Sequence, residues 1–283
     1  MSSTYRDFDK ADFNHLYLAF INSFSDYFIT FSPTEEQFNN RIFHKLNIAP
    51  DLSALAWQDE RVIGFILHTI NDYEGIRTIY NGGTGTVLSA RRTGTATRLY
   101  EYLLPKLTAT GAQRILLEVI DKNRHAQRLY ESLGFRFNRV LKCFVLNQQL
   151  TCKAPSGLEI QRGDIMKSVF SEFMSFEPSF MDSTNQLKFN LHNEWILEAT
   201  LENEPIGYLI FQPNTGRITQ LAIHPTHRNK GVGKALINEC QRKSASHQVS
   251  IMNIPEGEVG TIEALESIGF QNELDQFELE LII

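Results

Sequence analysis

Two stretches of the chain set small residues where a helix begins: Arg91-Arg92-Thr93-Gly94-Thr95-Ala96 and Arg228-Asn229-Lys230-Gly231-Val232-Gly233. Both fit the spacing Gln/Arg-x-x-Gly-x-Gly/Ala after a strand. Small residues let successive backbone amides approach a pyrophosphate, the positive helix end favours its charge, and nearby arginine or lysine adds to it. Two other phosphate cradles fit less well. A P-loop needs GxxxxGK followed by Ser or Thr, whereas Gly94 is followed by Thr95 and Ala96. A dinucleotide fingerprint needs GxGxxG after the first strand of its unit, and Gly83 and Gly85 supply only the first half of it, late in theirs.

A second group of residues could move protons. Glu118 alternates with Leu116 and Ile120 on one face of an otherwise apolar strand, where a desolvated carboxyl group is a candidate base. The alternative is an ion pair with an arginine at a sheet end. Tyr130 lies two turns into a helix that begins near Asn123. Its hydroxyl can supply a proton or a hydrogen bond to a departing anion, or it is an aromatic packed on the sheet with its hydroxyl at the edge. Asn81-Gly82-Gly83 in mid-strand signals a bulge or a close backbone approach, whose amides could serve a developing oxyanion. Asp72, Tyr73 and Glu74 line a pocket or are simply solvated. His224 and His227 fit a ligand pair poorly and a strand-to-helix loop accounts for them, so no metal is expected.

These side chains need elements to hold them. Residues 9–23 and 33–46 read as helices, the second opened by Ser32 as a cap and Pro33 in its first turn. Residues 52–70 read as two strands joined near Gln58 to Glu60, with a third from about Arg77 to Leu88. From Thr93 the apolar positions Leu99, Leu103 and Leu107, with Tyr100 and Leu104 alongside, mark a helix face. A buried strand over 114–120, a helix to Leu133, a stop at Gly134 and strand material from Phe135 to Leu146 close the first unit. Residues 151–157, TCKAPSG, have linker composition. The same order then recurs: LEIQRGD, a helix near 164–175, the hairpin WILEATLENEPIGYLIF, the strand RITQLAIHP, the helix after RNKGVGKAL, the strand QVSIMNI, a helix to Ile268 and a turn at Gly269 and Phe270. This order predicts a duplicated α/β domain, 1–150 and 151–283.

Composition agrees with two domains. The chain has 283 residues, 42% apolar and 21% charged, enough for a real core in each of two units of about 100 to 200 residues. It holds no apolar run of the roughly 18 to 20 residues a membrane helix needs, and its start lacks the regions of a signal peptide, so the cytoplasm is the expected location. Cys143, Cys152 and Cys240 form no CxxC and read as reduced thiols. The net charge of −6 disfavours nucleic acid as a partner. It is uneven: the first 150 residues hold 17 Lys and Arg against 15 Asp and Glu, the remainder 10 against 18. A polyanion meets less repulsion in the first half.

Each half resembles the GNAT superfamily of acetyl-CoA-dependent N-acetyltransferases, through TGTVLSARRTGTATRL with LEVIDKNRHAQRLYESLGF in the first and LAIHPTHRNKGVGKAL in the second. The double pattern is similar to tandem members. The resemblance implies two domains of mixed α/β fold, each a twisted mixed β-sheet flanked by helices, whose fourth and fifth strands splay to admit pantetheine. It implies acetyl-CoA as co-substrate and a primary amine, small molecule or peptide N-terminus, as acceptor. It assigns Glu118 as base, Asn123 as a cofactor contact and Tyr130 as acid. Thr84, Gly85 and Thr86 become the edge paired with pantetheine, and Arg91, Arg92, Thr93, Gly94, Thr95 and Ala96 the cradle. In the second half Leu221, Ala222 and Ile223 with Arg228, Asn229, Lys230, Gly231, Val232 and Gly233 are the equivalents.

The chemistry supports the same roles. An amine attacks a thioester only when neutral, so a base must take its proton, and the departing thiolate needs a donor. With no cysteine in the motif region, direct attack is favoured over an acyl-enzyme. Counting back from Phe270 as from Phe135, Leu265 replaces Tyr130, Asn253 replaces Glu118 and Glu258 replaces Asn123. The first half is therefore expected to be catalytic and the second degenerate. Two alternatives stay open: catalysis in the second half, whose cradle is more regular, or a non-catalytic acyl-CoA-binding scaffold. The acceptor and the oligomeric state are not legible.

Overall fold

The computed structural model describes residues 3–29, 32–164 and 171–283. The first half contains β1 (Thr4–Asp7), α1 (Phe13–Ser23), α2 (Glu35–Asn39), β2 (Ala54–Gln58), β3 (Arg61–Tyr73), β4 (Ile76–Thr86), α3 (Thr95–Ala109), β5 (Arg114–Ile120), α4 (Arg124–Ser132) and β6 (Arg136–Leu146). The second contains β7 (Leu158–Arg162), α5 (Thr184–Leu187), β8 (Trp195–Leu201), β9 (Glu204–Gln212), β10 (Arg217–Ile223), α6 (Val232–Lys243), β11 (Val249–Pro255), α7 (Val259–Ile268) and β12 (Gln271–Ile282).

Contacts divide the chain into two compact units, Met1–Asn138 with Phe277–Ile283, and Arg139–Gln276. This differs from a split at residue 150. The last strand of each unit comes from the other half of the sequence: in the first unit β12 lies beside β5, and in the second β6 pairs with β11 antiparallel, Leu146 opposite Val249. Arg114 shows what the exchange secures in the first unit. Its side chain is 7% exposed and bonds Glu280 at 3.2 Å, Glu74 at 2.9 Å and Thr78 at 3.0 Å. A buried guanidinium needs such partners.

Within the first unit the strand order is β1-β2-β3-β4-β5-β12; within the second it is β7-β8-β9-β10-β11-β6. The second and third strands of each unit form a hairpin whose two turn residues both have positive φ, Asp59 and Glu60 in β2–β3, and Glu202 and Asn203 in β8–β9. That backbone matches the twist of the strands it joins. The fourth and fifth strands run parallel in both units and part early. Pairing of β4 with β5 covers only Thr78–Arg114, Ile79–Ile115 and Tyr80–Leu116, and that of β10 with β11 only Arg217–Ser250 and Ile218–Ile251.

Local details depart from the sequence reading. The second helix is capped by Thr34, whose hydroxyl accepts from the Gln37 amide while Gln37 returns the bond, and it continues as a π-helical turn over Asn40–Lys45. A capping box satisfies two amides, which Ser32 two residues earlier could not reach. Leu99, Tyr100, Leu103 and Leu107 of α3 are buried, but Leu104 is 39% exposed. Of the helix expected near 164–175, residues 165–170 lie outside the described residues and Ser171–Phe173 form a short 3-10 turn. Strands β1 and β12 had no counterpart in the sequence reading.

His68 on β3 is fully buried, with Nδ1 2.7 Å from the Leu52 carbonyl, and burial holds its pKa down to about 4 from 6.5. A depressed histidine pKa contributes stability that is present above 6.5 and lost as pH falls towards 4, about 3 kcal/mol in all. The urea midpoint of the protein should therefore drop more steeply between pH 7 and pH 4 than that of His68→Asn; equal pH slopes would contradict this.

Candidate functional site

Where β4 leaves β5, the strand stays bonded to β3 but slips register: Leu67 faces Gly83 and His68 faces Asn81, so Gly82 is the extra residue of a bulge. The bulge expected over Asn81-Gly82-Gly83 is there. Its glycines are needed in part by the protein itself. A Cβ on Gly85 would stand 2.4 Å from the Phe65 ring and 3.1 Å from Ser23 of α1, whereas one on Gly83 would meet nothing nearer than Phe65 at 3.9 Å. Gly85→Val should lower stability by about 1–3 kcal/mol through overpacking, and Gly83→Ala should leave the urea midpoint near wild type. The reverse ranking would contradict the packing.

The two cradles have the same backbone. Each begins with a short 3-10 turn, Leu88–Ala90 or Pro225–His227, and each then has an arginine with near-identical dihedrals, Arg91 at φ −65°, ψ 150° and Arg228 at φ −65°, ψ 155°. The next residues, Arg92 at φ 62° and Asn229 at φ 59°, are left-handed, as are Gly94 at 81° and Gly231 at 83°. Left-handed residues two apart give both loops the same turn, of the kind that can aim backbone amides at an anion. Gly94 and Gly231 are the N-caps of α3 and α6, and neither helix start has a side-chain cap bond. Helices of this length carry partial positive charge at such an end, so both loops suit a diphosphate.

Side chains around the first cradle brace it. Thr93 donates to the Ala90 carbonyl at 2.7 Å and shares a hydroxyl bond with Thr95 at 2.8 Å. Arg91 forks onto Asp26 with two bonds of 2.7 Å and bonds the Ser23 carbonyl at 2.9 Å, which ties the cradle to the end of α1. Its hydrogen bond holds the Asp26 carboxyl below its usual pKa. Arg228 likewise serves structure, bonding the carbonyls of Ile223 at 3.1 Å and Phe173 at 3.0 Å. Arg92, Asn229 and Lys230 are exposed, and Arg91, though paired with Asp26, is itself 39% exposed.

Past the parting of β4 and β5 lie the residues expected to move protons. Glu118 is half-buried on β5 and accepts from the hydroxyl of Tyr80, which is buried at the last paired position of β4. Tyr130 is buried on α4 against Tyr100 and Phe135, and burial pushes its pKa up to about 12, partly offset by a hydrogen bond with Thr84. It is therefore protonated at neutral pH. Asn123 caps α4, its Oδ1 accepting from the Ala126 amide at 3.1 Å, and its side chain also meets the Tyr27 hydroxyl. Asn81 bonds Thr84 at 2.8 Å and also Tyr100.

Sequence reasoning missed Tyr27, Tyr80, Asn81 and Tyr100 as members of this cluster. The aromatic run FSDYF at 24–28 was a signal that could have pointed to Tyr27; Tyr80 and Tyr100 looked like core. Asp72, Tyr73 and Glu74 lie elsewhere, at the β3–β4 turn next to the start of β5. Tyr73 is buried, Asp72 pairs with Arg77 at 3.5 Å and Glu74 pairs with Arg114.

The second unit repeats the frame without these groups. Glu258 caps α7 at φ −83°, ψ 56° as Asn123 caps α4 at φ −83°, ψ 68°, and each bonds back to the strand end, Pro255 or Ile120. The amide of Phe270 bonds the Leu265 carbonyl at 3.0 Å as Phe135 does that of Tyr130. With strand pairings aligned, Ile218 stands for Tyr80, Asn253 for Glu118 and Leu265 for Tyr130. Asn253 is tied into the unit, bonding Ser179 at 3.3 Å and Gln276 at 3.2 Å. Arg217 on β10 closes a buried ion pair at 2.7 Å with Asp182, thirty-five residues earlier. Among the described residues no group of His, Cys, Asp and Glu could hold a metal ion, and His224 bonds Thr226 at 2.8 Å. Among them, too, no helix is long and apolar enough to cross a membrane.

Comparison with known proteins agrees with this frame. The profile of the Acetyltransferase (GNAT) family matches twice, over residues 17–135 and 164–270. The chain belongs to that family, with two copies of its domain. A solved tandem GNAT protein from the clavulanic acid biosynthesis pathway matches with a TM-score of 0.79 at 12% identity, over 99% of this chain and 98% of that one. A GCN5-related N-acetyltransferase from Sphaerobacter thermophilus matches with a TM-score of 0.73 at 14% identity, over 99% and 95%. At such identities the likeness is one of fold. No curated protein sequence matches the chain.

Proposed function

We propose that the first unit transfers an acetyl group from acetyl-CoA to a primary amine by direct attack, and that the second unit is structural. The observation that carries this reading is the set Tyr80, Glu118 and Tyr130 beside the parting strands, against Ile218, Asn253 and Leu265 at the matching places of the second unit. The first cradle suits a diphosphate through its left-handed Arg92 and Gly94 and its uncapped helix start. When bound there, acetyl-CoA supplies an activated thioester acyl group.

The chain's own residues then handle two protons. Glu118, held by the Tyr80 hydroxyl, accepts the proton that the amine must lose before or as its nitrogen bonds to carbon. Tyr130 gives its proton as the carbon–sulfur bond breaks, so charge is neither left on nitrogen nor on sulfur. Gly82, the extra residue of the bulge, offers its backbone amide to the developing oxyanion, while the amide of Gly83 is held by Asn81 Oδ1 at 3.0 Å. The acceptor is a small amine or a peptide N-terminus.

Thiol release from acetyl-CoA with a panel of amines and peptides tests the reading. Glu118→Gln and Tyr130→Phe should each lower kcat by about 10²–10⁴-fold, with CoA affinity by calorimetry retained. Wild-type turnover in both variants would exclude the assignment. CoA binding with no turnover for any amine would favour a binding scaffold instead.

A further inference from the structure

We infer that Arg98, which lies outside the cradle motif, is the side chain that grips the diphosphate of acetyl-CoA in the first unit. This rests on the proposal that acetyl-CoA binds at that cradle, and it supplies the cation that the motif itself does not offer.

The need arises at Arg91. Its guanidinium is forked onto Asp26 and bonded to the Ser23 carbonyl, so its charge is met within the protein. Arg98 lies one turn into α3, four residues after the cap Gly94, and its side chain folds back over that cap: the guanidinium carbon and Nη2 both stand 3.9 Å from where a Cβ on Gly94 would be. It is exposed, and among the described residues it has no hydrogen bond or ion pair.

A cation in this place is unfavourable to the protein alone. The start of a helix carries partial positive charge, which favours acids and repels arginine. Helix α2 has the favourable arrangement, with Glu35 and Glu36 in its first turn. Helix α3 has no acidic residue in its first turn, and Arg92 just before it is exposed as well. An anion seated on the cradle reverses the balance, because the guanidinium and the helix end then attract the same group. Arginine adds a planar fork that can take two phosphate oxygens at once.

The second cradle differs at this point. Counting from the two glycines, Ala235 stands for Arg98 and is 3% exposed. Where the guanidinium lies over Gly94, the ring of Pro155 lies by Gly231, its Cγ 3.7 Å from the matching Cβ position. Lys230 is exposed just before that cap, so what the second cradle lacks is the fork above the glycine and not every cation. Position also selects among the phosphates of CoA. The guanidinium stands at the cap itself, where left-handed Arg92 and Gly94 shape the loop for a diphosphate, which leaves the 3′-phosphate of the ribose to other contacts.

Calorimetry of CoA binding to the intact protein tests this. Arg98→Ala should raise Kd by about 10- to 100-fold, the loss of one charge-assisted pair, and Arg98→Lys, which keeps the charge without the fork, should raise it less. In turnover KM for acetyl-CoA should rise in step, with kcat within about threefold of wild type. The Arg98→Ala defect should persist with dephospho-CoA, which lacks the 3′-phosphate, and vanish with S-acetylpantetheine, which has no phosphate. Without ligand, the urea midpoint of Arg98→Ala should equal or exceed that of wild type, since the substitution relieves the helix end; an arginine kept for packing would give a lower one. A wild-type Kd in Arg98→Ala, a Kd that rises only with a fallen midpoint, or a defect seen with CoA and absent with dephospho-CoA would overturn the inference. If Ala96→Glu abolishes CoA binding while Arg98→Ala binds as wild type, the cradle stands and this inference falls alone; if Ala96→Glu binds CoA as wild type, both fall.

Discussion

Parallel pairing between β4 and β5 lasts for three residues and stops after Tyr80 and Leu116, and the site depends on where it stops. Unpaired strand backbone is costly inside a protein unless something else meets it. Here β4 keeps its bonds to β3 through the bulge, so its other edge is free over Asn81–Thr86 without loss of the sheet. The opening lies between two fixed walls, one carrying the bulge and the Asn81 network, the other carrying Glu118. The helices on either side are placed by the same parting. α3 starts from the loop that follows β4, which sets the cradle at one end, and α4, which carries Tyr130, starts from the loop that follows β5.

Much of this was legible in the sequence, for physical reasons that differ by element. The cradles could be read because Gly94 and Gly231 sit at a left-handed position, where glycine is the residue without a steric cost, and because the same spacing occurs twice. Glu118 stands out because it is the one carboxylate in RILLEVI, a strand that is otherwise buried. Gly82 announced the bulge. The Asn81 network could not be read, since which polar atoms meet across β4, α3 and α4 is decided by tertiary packing. The exchange of β6 and β12 was hidden for the same reason: strand composition says that a segment pairs, not with which neighbour. Arg91 was read as a phosphate ligand from its place in the motif, yet its guanidinium is taken by Asp26, sixty-five residues earlier.

Duplication has left two copies of one frame under different demands. The backbone of the cradle, the hairpin turn, the cap of the last helix and the early parting of the parallel strands are kept in both. These are properties of the fold, which each unit needs to close its core. What differs is a set of side chains that a fold does not need: a tyrosine and a glutamate on facing strands and a tyrosine on the helix above. In the second unit isoleucine, asparagine and leucine fill those places, and apolar residues such as Ile218 and Leu265 are fully buried. Loss of titratable groups where burial is retained is the pattern expected of a unit held for structure. The seven residues that the chain's end adds to the first unit give that structure a direct use.

The central claim is that turnover belongs to the first cradle. Ala96 and Gly233 occupy the second position of α3 and α6, where a glutamate is favourable to the helix but sets a negative charge where a diphosphate would lie. Thiol release from acetyl-CoA by Ala96→Glu and by Gly233→Glu therefore separates the two units without disturbing either fold. The account predicts that Ala96→Glu abolishes release while Gly233→Glu retains it; loss of release in Gly233→Glu alone would contradict it.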